Sequence, residues 1–276
     1  MISGNKQVAE ELGGLFGGAG VDGFLHARDI DGGATVGYHD GDPVMLASTR
    51  KIALLLEFER RLADGEWNPQ ERLRITPSRP PMTGFGISQL QDEVEISLRD
   101  LAVLMISVSD NQATQLIAGR VGVERVNATM RELGFGDVHF RQPSYDAAAH
   151  DSTQPFGLPQ HGAHTTARAF TGLLAAVWKD EAGPPAACAE VRRILGTQVF
   201  PHRLRAGFPD SVKVSGKTGS LMGWKNEAGV AEFPNGQRYA IAVFTRLKKP
   251  PEEMRATAQD AVIGAAAAAA VSLLRR

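Results

Sequence analysis

Three short groups of residues carry side chains that could together perform nucleophilic chemistry: Ser48-Thr49-Arg50-Lys51, Ser109-Asp110-Asn111 and Lys217-Thr218-Gly219. A serine hydroxyl is a weak nucleophile, so it needs a base, donors for a developing oxyanion, and an acid for the leaving group. Ser48 stands at the first turn of a strong helical pattern, where free N–H groups and the helix dipole favour negative charge. Lys51 follows one turn later on the same face. Leu54, Leu55 and Phe58 continue that side, and an amine buried among them has its charged form disfavoured, which suits it to take a proton. Ser109 opens a later helix, either as its N-cap or as a relay that carries a proton from Lys51 to a leaving atom. Asn111 offers an amide donor and acceptor to a substrate. Lys217 and Thr218, at a strand end, supply a positive charge and a hydroxyl to a substrate carboxylate. Gly219 lets a ligand approach the backbone. The Ser220 N–H then pairs with that of Ser48 as an oxyanion hole.

Taken singly these signals differ in weight. A Ser-x-x-Lys spacing arises about once by chance in a chain of this size, and Ser3 to Lys6 is a second copy with no site around it. The other two triplets are each expected only about 0.05 times, so their occurrence in order behind Ser48 is informative. Other motifs fail on context. Gly18-Ala19-Gly20-Val21-Asp22-Gly23 has the letters of a dinucleotide fingerprint, but a helix precedes it and a strand follows, the reverse of the required order. Gly216-Lys217-Thr218 resembles the end of a phosphate-binding loop, yet Ser211 occupies the position of the first glycine and no helix follows. His161 and His164 lack any partner at zinc-site spacing and suit loop histidines better.

Composition narrows the class. The chain has 276 residues, 43% hydrophobic and 22% charged, which fits one large globular unit and excludes disorder, collagen and coiled coil. Thirty Lys and Arg against 31 Asp and Glu leave a net charge of -1, which argues against a nucleic-acid or anionic-membrane partner. A small molecule is the expected partner, the chain is expected to be a monomer, and neither metal nor organic cofactor is called for. Cys188 is the sole cysteine, so no intrachain disulfide is possible. The first residues are charged where an export signal would carry its apolar core. The most apolar run, 261–274, is shorter than the ~20 residues that span a bilayer. A cytoplasmic location is therefore expected, or export if a leader precedes this sequence.

Periodicity places the three groups on elements. A short helix is expected over 6–16, then a hairpin of 23–30 and 34–39 around Asp31-Gly32-Gly33. Ser48 to Ala63 has helical spacing, with Ile52, Leu55, Leu56 and Leu62 on its apolar side. Residues 66–96 look loop-rich. Ser97 caps a helix, a second follows Ser109, and a third covers 124–133. Residues 135–164 show no periodicity. Helical pattern returns from Thr165 and again near 190–195. Three strands, 212–215, 227–233 and 238–247, precede a last helix from Pro251. The expected fold is α/β (α+β): an antiparallel five-stranded sheet built from both chain ends, flanked by helices, with an inserted all-helical lobe. The whole of 1–276 then forms one unit, an α/β lobe of about 1–45 and 205–276 with a helical lobe of about 46–204.

The three motifs, their order and their separations resemble those of the penicillin-recognising serine enzymes, the class A β-lactamases and penicillin-binding proteins. That resemblance covers nearly the whole chain from about residue 6. It implies that Ser48 is acylated, that Lys51 is a general base and Ser109 a proton shuttle. By the same token Asn111, Lys217, Thr218 and Gly219 line the substrate site, and Ser48 and Ser220 supply the oxyanion hole. β-Lactam hydrolysis is the first expected activity. Esterase or amidase action on a small metabolite and slow, non-turnover β-lactam binding as a sensor or pseudoenzyme are the alternatives. The pattern breaks at one point: class A enzymes deacylate with a glutamate from an ExxLN loop, and no glutamate lies between Glu132 and Glu181. Asp146, His150, Asp151 or Lys51 itself would have to activate the water.

Overall fold

A computed structural model describes residues 2–82, 84–141, 162–221, 223–248 and 256–275. In chain order the elements are α1 (Ile2–Gly18), β1 (Val21–Asp29), β2 (Thr35–Tyr38), β3 (Val44–Met45), α2 (Lys51–Ala63), β4 (Arg72–Ile75), β5 (Val94–Ser97), α3 (Leu98–Ser107), α4 (Asn111–Val121) and α5 (Val123–Glu132). β6 (His164–Thr165), α6 (Ala167–Trp178), α7 (Pro185–Leu195), β7 (Lys213–Leu221), β8 (Trp224–Glu232), β9 (Arg238–Leu247) and α8 (Ala256–Leu274) complete them. Five strands form an antiparallel sheet in the order β2-β1-β9-β8-β7, so both chain ends do contribute to one sheet.

Local chemistry sets the turns. The Asp29 carboxylate accepts the N–H groups of Asp31 and Gly32, closing the β1–β2 hairpin, and Gly33 takes a φ of 78°. Asn235-Gly236 closes the β8–β9 hairpin, with Gly236 at φ 88°. Burial then sorts the layers. α1 and α8 cover one face of the sheet through Leu12, Phe16, Ile263 and Ala267. The other face, through Phe24, Trp224 and Phe244, joins the core of the middle segment. At the centre of that segment runs α2, whose first nine residues, Lys51–Glu59, are all buried.

Three expectations change. The inserted lobe also holds a β4–β5 ribbon, and β6 pairs with β3. Alternation of period two over four residues is too short to register in a segment rich in proline. β7 runs on to Leu221, so Lys217 lies in mid-strand rather than at its tip; glycines at 216 and 219 hide the strand pattern. Asp110, not Ser109, caps α4: its Oδ1 accepts the Ala113 N–H at 3.0 Å.

Candidate active site

The Ser48 segment enters from β3 through Ala47, whose φ of +48° is uncommon for a residue with a side chain. A single 3-10 turn, Ala47–Arg50, follows and leads into α2. Side-chain and backbone hydrogen bonds fix this turn. The Thr49 hydroxyl donates to the Leu46 carbonyl at 2.6 Å, the Asn226 amide donates to the Met45 carbonyl at 2.7 Å, and the Leu46 N–H donates to Ala163. Ser48 is half-buried. In a 3-10 turn residues three apart eclipse, so Ser48 and Lys51 share a face. Gly219 of β7 lies directly against the turn. A Cβ there would sit 2.9 Å from the Leu46 carbonyl oxygen and 3.0 Å from the nitrogens of Ser48 and Thr49. The glycine thus admits the Ser48 turn itself, a closer neighbour than the ligand the sequence suggests.

Lys51 is fully buried, and its amine spans to the second motif. Its Nζ lies 2.7 Å from the Ser109 carbonyl, 3.1 Å from Ser109 Oγ and 3.0 Å from Asn111 Oδ1. Among the described residues no hydrogen bond joins it to the Ser48 hydroxyl, the contact that sequence spacing anticipates. Burial holds its pKa well below the usual lysine value, helped by the Lys217 and Arg50 charges and opposed by Asp110. Once neutral, the amine can accept the Ser109 hydroxyl proton instead of donating to that oxygen.

Ser109 reaches this position because α3 ends at Ser107 and the chain turns through a residue at φ +61°. Asp110 anchors that turn. Besides capping α4 it accepts the Ile87 N–H on Oδ2 at 2.8 Å, and Gly86 leaves it room, since a Cβ there would meet Oδ2 at 2.1 Å. The neighbouring Gly84 lies against the Asn111 amide, and between the two glycines the exposed Phe85 ring pairs with Phe200 at 5.7 Å.

The third motif lies on β7, an edge strand. Lys217 is fully buried and donates to the Thr218 carbonyl at 2.9 Å; burial lowers its pKa to about 7. The Thr218 N–H points off the free edge to the Gln198 side-chain oxygen. Ser220 is two residues on, so strand alternation places its N–H on that same edge. Ser220 itself is exposed.

Sequence reasoning misses a cation here. Arg203 donates to the Gly219 carbonyl at 2.8 Å and to Ser220 Oγ at 2.7 Å, while its Nε holds Asp260 at 2.7 Å. Asp260 also binds Lys225. No motif marks Arg203. Its one available signal is a small basic cluster, His202, Arg203 and Arg205, shortly before the Lys217 strand. Asp146, His150, Asp151 and His161 lie outside the described residues. Among the described residues no group of three or more His, Cys, Asp or Glu is placed to hold a metal ion.

A buried amine thus lies between two serine-bearing turns, with a glycine-edged strand packed against the first of them. The sequence model of the β-lactamase enzyme family matches residues 7–274, and the chain belongs to that family. It superposes on the β-lactamase of Sphaerobacter thermophilus with a TM-score of 0.81 at 25% identity, over 99% of this chain and 97% of that one. A variant of PBP-A, solved as an acyl-enzyme complex with penicillin G, gives a TM-score of 0.80 at 22% identity over 99% and 97%. The chain is also 26% identical over 286 residues to the β-lactamase regulatory protein BlaB of Streptomyces cacaoi, covering 90% of this chain and 92% of that protein.

Proposed function

We propose that this member of the β-lactamase family is a serine hydrolase that works through a covalent acyl-enzyme, with β-lactams as its first candidate substrates. The observation that carries this reading is the Lys51 amine: fully buried, held on Ser109 and Asn111, one 3-10 turn from Ser48. Ser48 Oγ attacks the substrate carbonyl and its proton passes to Lys51. The oxyanion accepts from the N–H groups of Ser48 and Ser220. As the tetrahedral adduct collapses, the leaving nitrogen or oxygen takes the Ser109 proton, which Lys51 replaces. Water then attacks the Ser48 ester, with Lys51 again taking the proton, and the acid is released with Ser48 restored. Asn111 and Thr218 hold the substrate, Lys217 attracts its carboxylate, and Gly219 keeps the Ser48 turn against β7. The two lobes, about 1–45 with 205–276 and 46–204, act as one catalytic unit on a small acyl substrate.

A second reading keeps acylation and drops turnover. The regulatory name of the Streptomyces relative and the lack of any glutamate between Glu132 and Glu181 favour it. One experiment separates the two: incubation with a chromogenic cephalosporin and a p-nitrophenyl ester, with intact mass taken over time. Steady colour without a lasting adduct is the result expected of the hydrolase, and preference for the ester would identify an esterase. A persistent mass addition on Ser48 supports the non-turnover protein. Neither colour nor adduct refutes both.

A further inference from the structure

A buried hydrogen-bond chain that the mechanism above does not use runs beside the Lys217 strand. The Glu227 carboxyl on β8 is fully buried. One of its oxygens accepts the Leu204 N–H at 2.7 Å, and the other accepts the Gln198 amide at 2.7 Å. The Gln198 oxygen in turn accepts the Thr218 N–H, and Thr218 is the cross-strand partner of Glu227. Next to Gln198, the Val199 N–H donates to the Ser107 carbonyl at 3.1 Å, tying this segment to the Ser109 wall as well. Burial favours the neutral carboxyl, and the N–H donor on each oxygen works against it in favour of the ionised form.

A carboxylate removed from water needs a cation. Arg203, which also pairs with Asp260, is the stronger of the two cations acting on Glu227, and Lys217 is the other. The Lys217 amine, by contrast, has only neutral hydrogen-bond acceptors among the described residues, the Thr218 carbonyl and hydroxyl. Its charged surroundings are mostly positive: Arg50 and Lys51 from the Ser48 turn and α2, and Arg203 from the segment before β7. Glu227 lies across from Thr218, the residue next to Lys217 on β7, and its negative charge favours the protonated amine.

We propose that Glu227 and Gln198 are positioning residues for the site: they hold the Thr218 edge of β7 and keep the Lys217 amine protonated to receive a substrate carboxylate. This rests on the acyl-enzyme reading only for the substrate, not for the charge coupling. Burial brings the Glu227 carboxyl up to about 7 and the Lys217 amine down to about 7, so each is poised to respond to the other. Removing the anion makes the amine lose its proton at lower pH.

The test follows the 13C signals of labelled lysine and glutamate, assigned with Lys217→Arg and Glu227→Gln, across neutral pH. In the wild type both groups should titrate near neutrality. In Glu227→Gln the Lys217 midpoint should fall by about one unit or more, and the alkaline limb of kcat/KM on a chromogenic cephalosporin should fall with it. Glu227→Asp should restore most of that limb. Gln198→Leu, which keeps the carboxyl but cuts its link to Thr218, should raise KM and leave the Lys217 midpoint in place. An unmoved Lys217 midpoint in folded Glu227→Gln overturns the charge coupling, and an unchanged KM in Gln198→Leu overturns the positioning. Should Glu227→Gln fail to fold, the wild-type titration decides: Lys217 neutral while Glu227 is still protonated refutes the pairing. A wild type that turns over nothing refutes the hydrolase reading, while the titration still decides this one.

Discussion

At the scale of single residues the site concentrates costs that function has to justify. Lys51 makes its hydrogen bonds in a fully buried position, and its pKa lies well below 10.5. The unfolded chain therefore binds more protons than the folded one between those two pKa values, so this residue's contribution to stability rises with pH across that window. Lys51→Met should flatten that rise and increase the melting temperature, while Lys51→Ala should lower acylation by at least the ~10²-fold typical of a lost general base. Calorimetry and stopped-flow acylation measure the two. Ser48→Ala should leave the fold intact and abolish turnover; activity above a few per cent of the parent refutes the nucleophile. Positive φ at Ala47 and Ser109 belongs to the same pattern, because two residues with side chains occupy strained backbone in the two turns that Lys51 connects.

At the scale of elements, the motifs are held by backbone packed against backbone. Gly219→Ala would press a methyl group on the Ser48 turn, whose three nearest atoms lie 2.9–3.0 Å from that position. The expected outcome is a folded protein with strongly reduced acylation; unchanged kinetics would show that the turn yields without consequence. Asp110→Ala removes the α4 cap and leaves the buried Ile87 N–H without its acceptor, a loss of about 2–4 kcal/mol measurable by urea unfolding. Most of this scaffold is legible in the sequence. Ser48, Lys51, Ser109, Asn111 and Lys217 sit in short motifs, and α2, which carries Lys51, shows its helical period. The supporting shell does not, because Arg203, Gln198, Glu227 and Asn226 meet the motifs only through the sheet register and the segment before β7. Glu227, a charge immediately before the small and apolar run 228–231, is the visible irregularity. The β4–β5 ribbon is not visible in the sequence because four residues cannot display alternation against the prolines around them.

At the scale of the molecule, two cores lie on opposite faces of one sheet, and His26 on β1 is a buried titratable group on the α6 side. It is buried against α6, with Nδ1 2.5 Å from the Thr171 hydroxyl oxygen, and burial lowers its pKa to about 4. Between that value and the unfolded 6.5 the unfolded chain carries more protons, so stability falls as pH drops through this window. His26→Gln should spare about 2–3 kcal/mol of the loss between pH 7 and pH 4.5, measured by unfolding both proteins at the two pH values. Equal losses would remove His26 as the responsible group.

The strand order carries a consequence for biosynthesis. β1 emerges early and pairs with β2, yet its other edge is completed by β9, with Phe24 opposite Phe244 and Ala27 opposite Ile241. A nascent polypeptide must keep that edge unsatisfied while the ribosome translates everything in between. Such long-range closure slows folding and leaves an adhesive edge open. Translation speed and chaperone supply, more than the strength of either core, should then govern the yield of active protein.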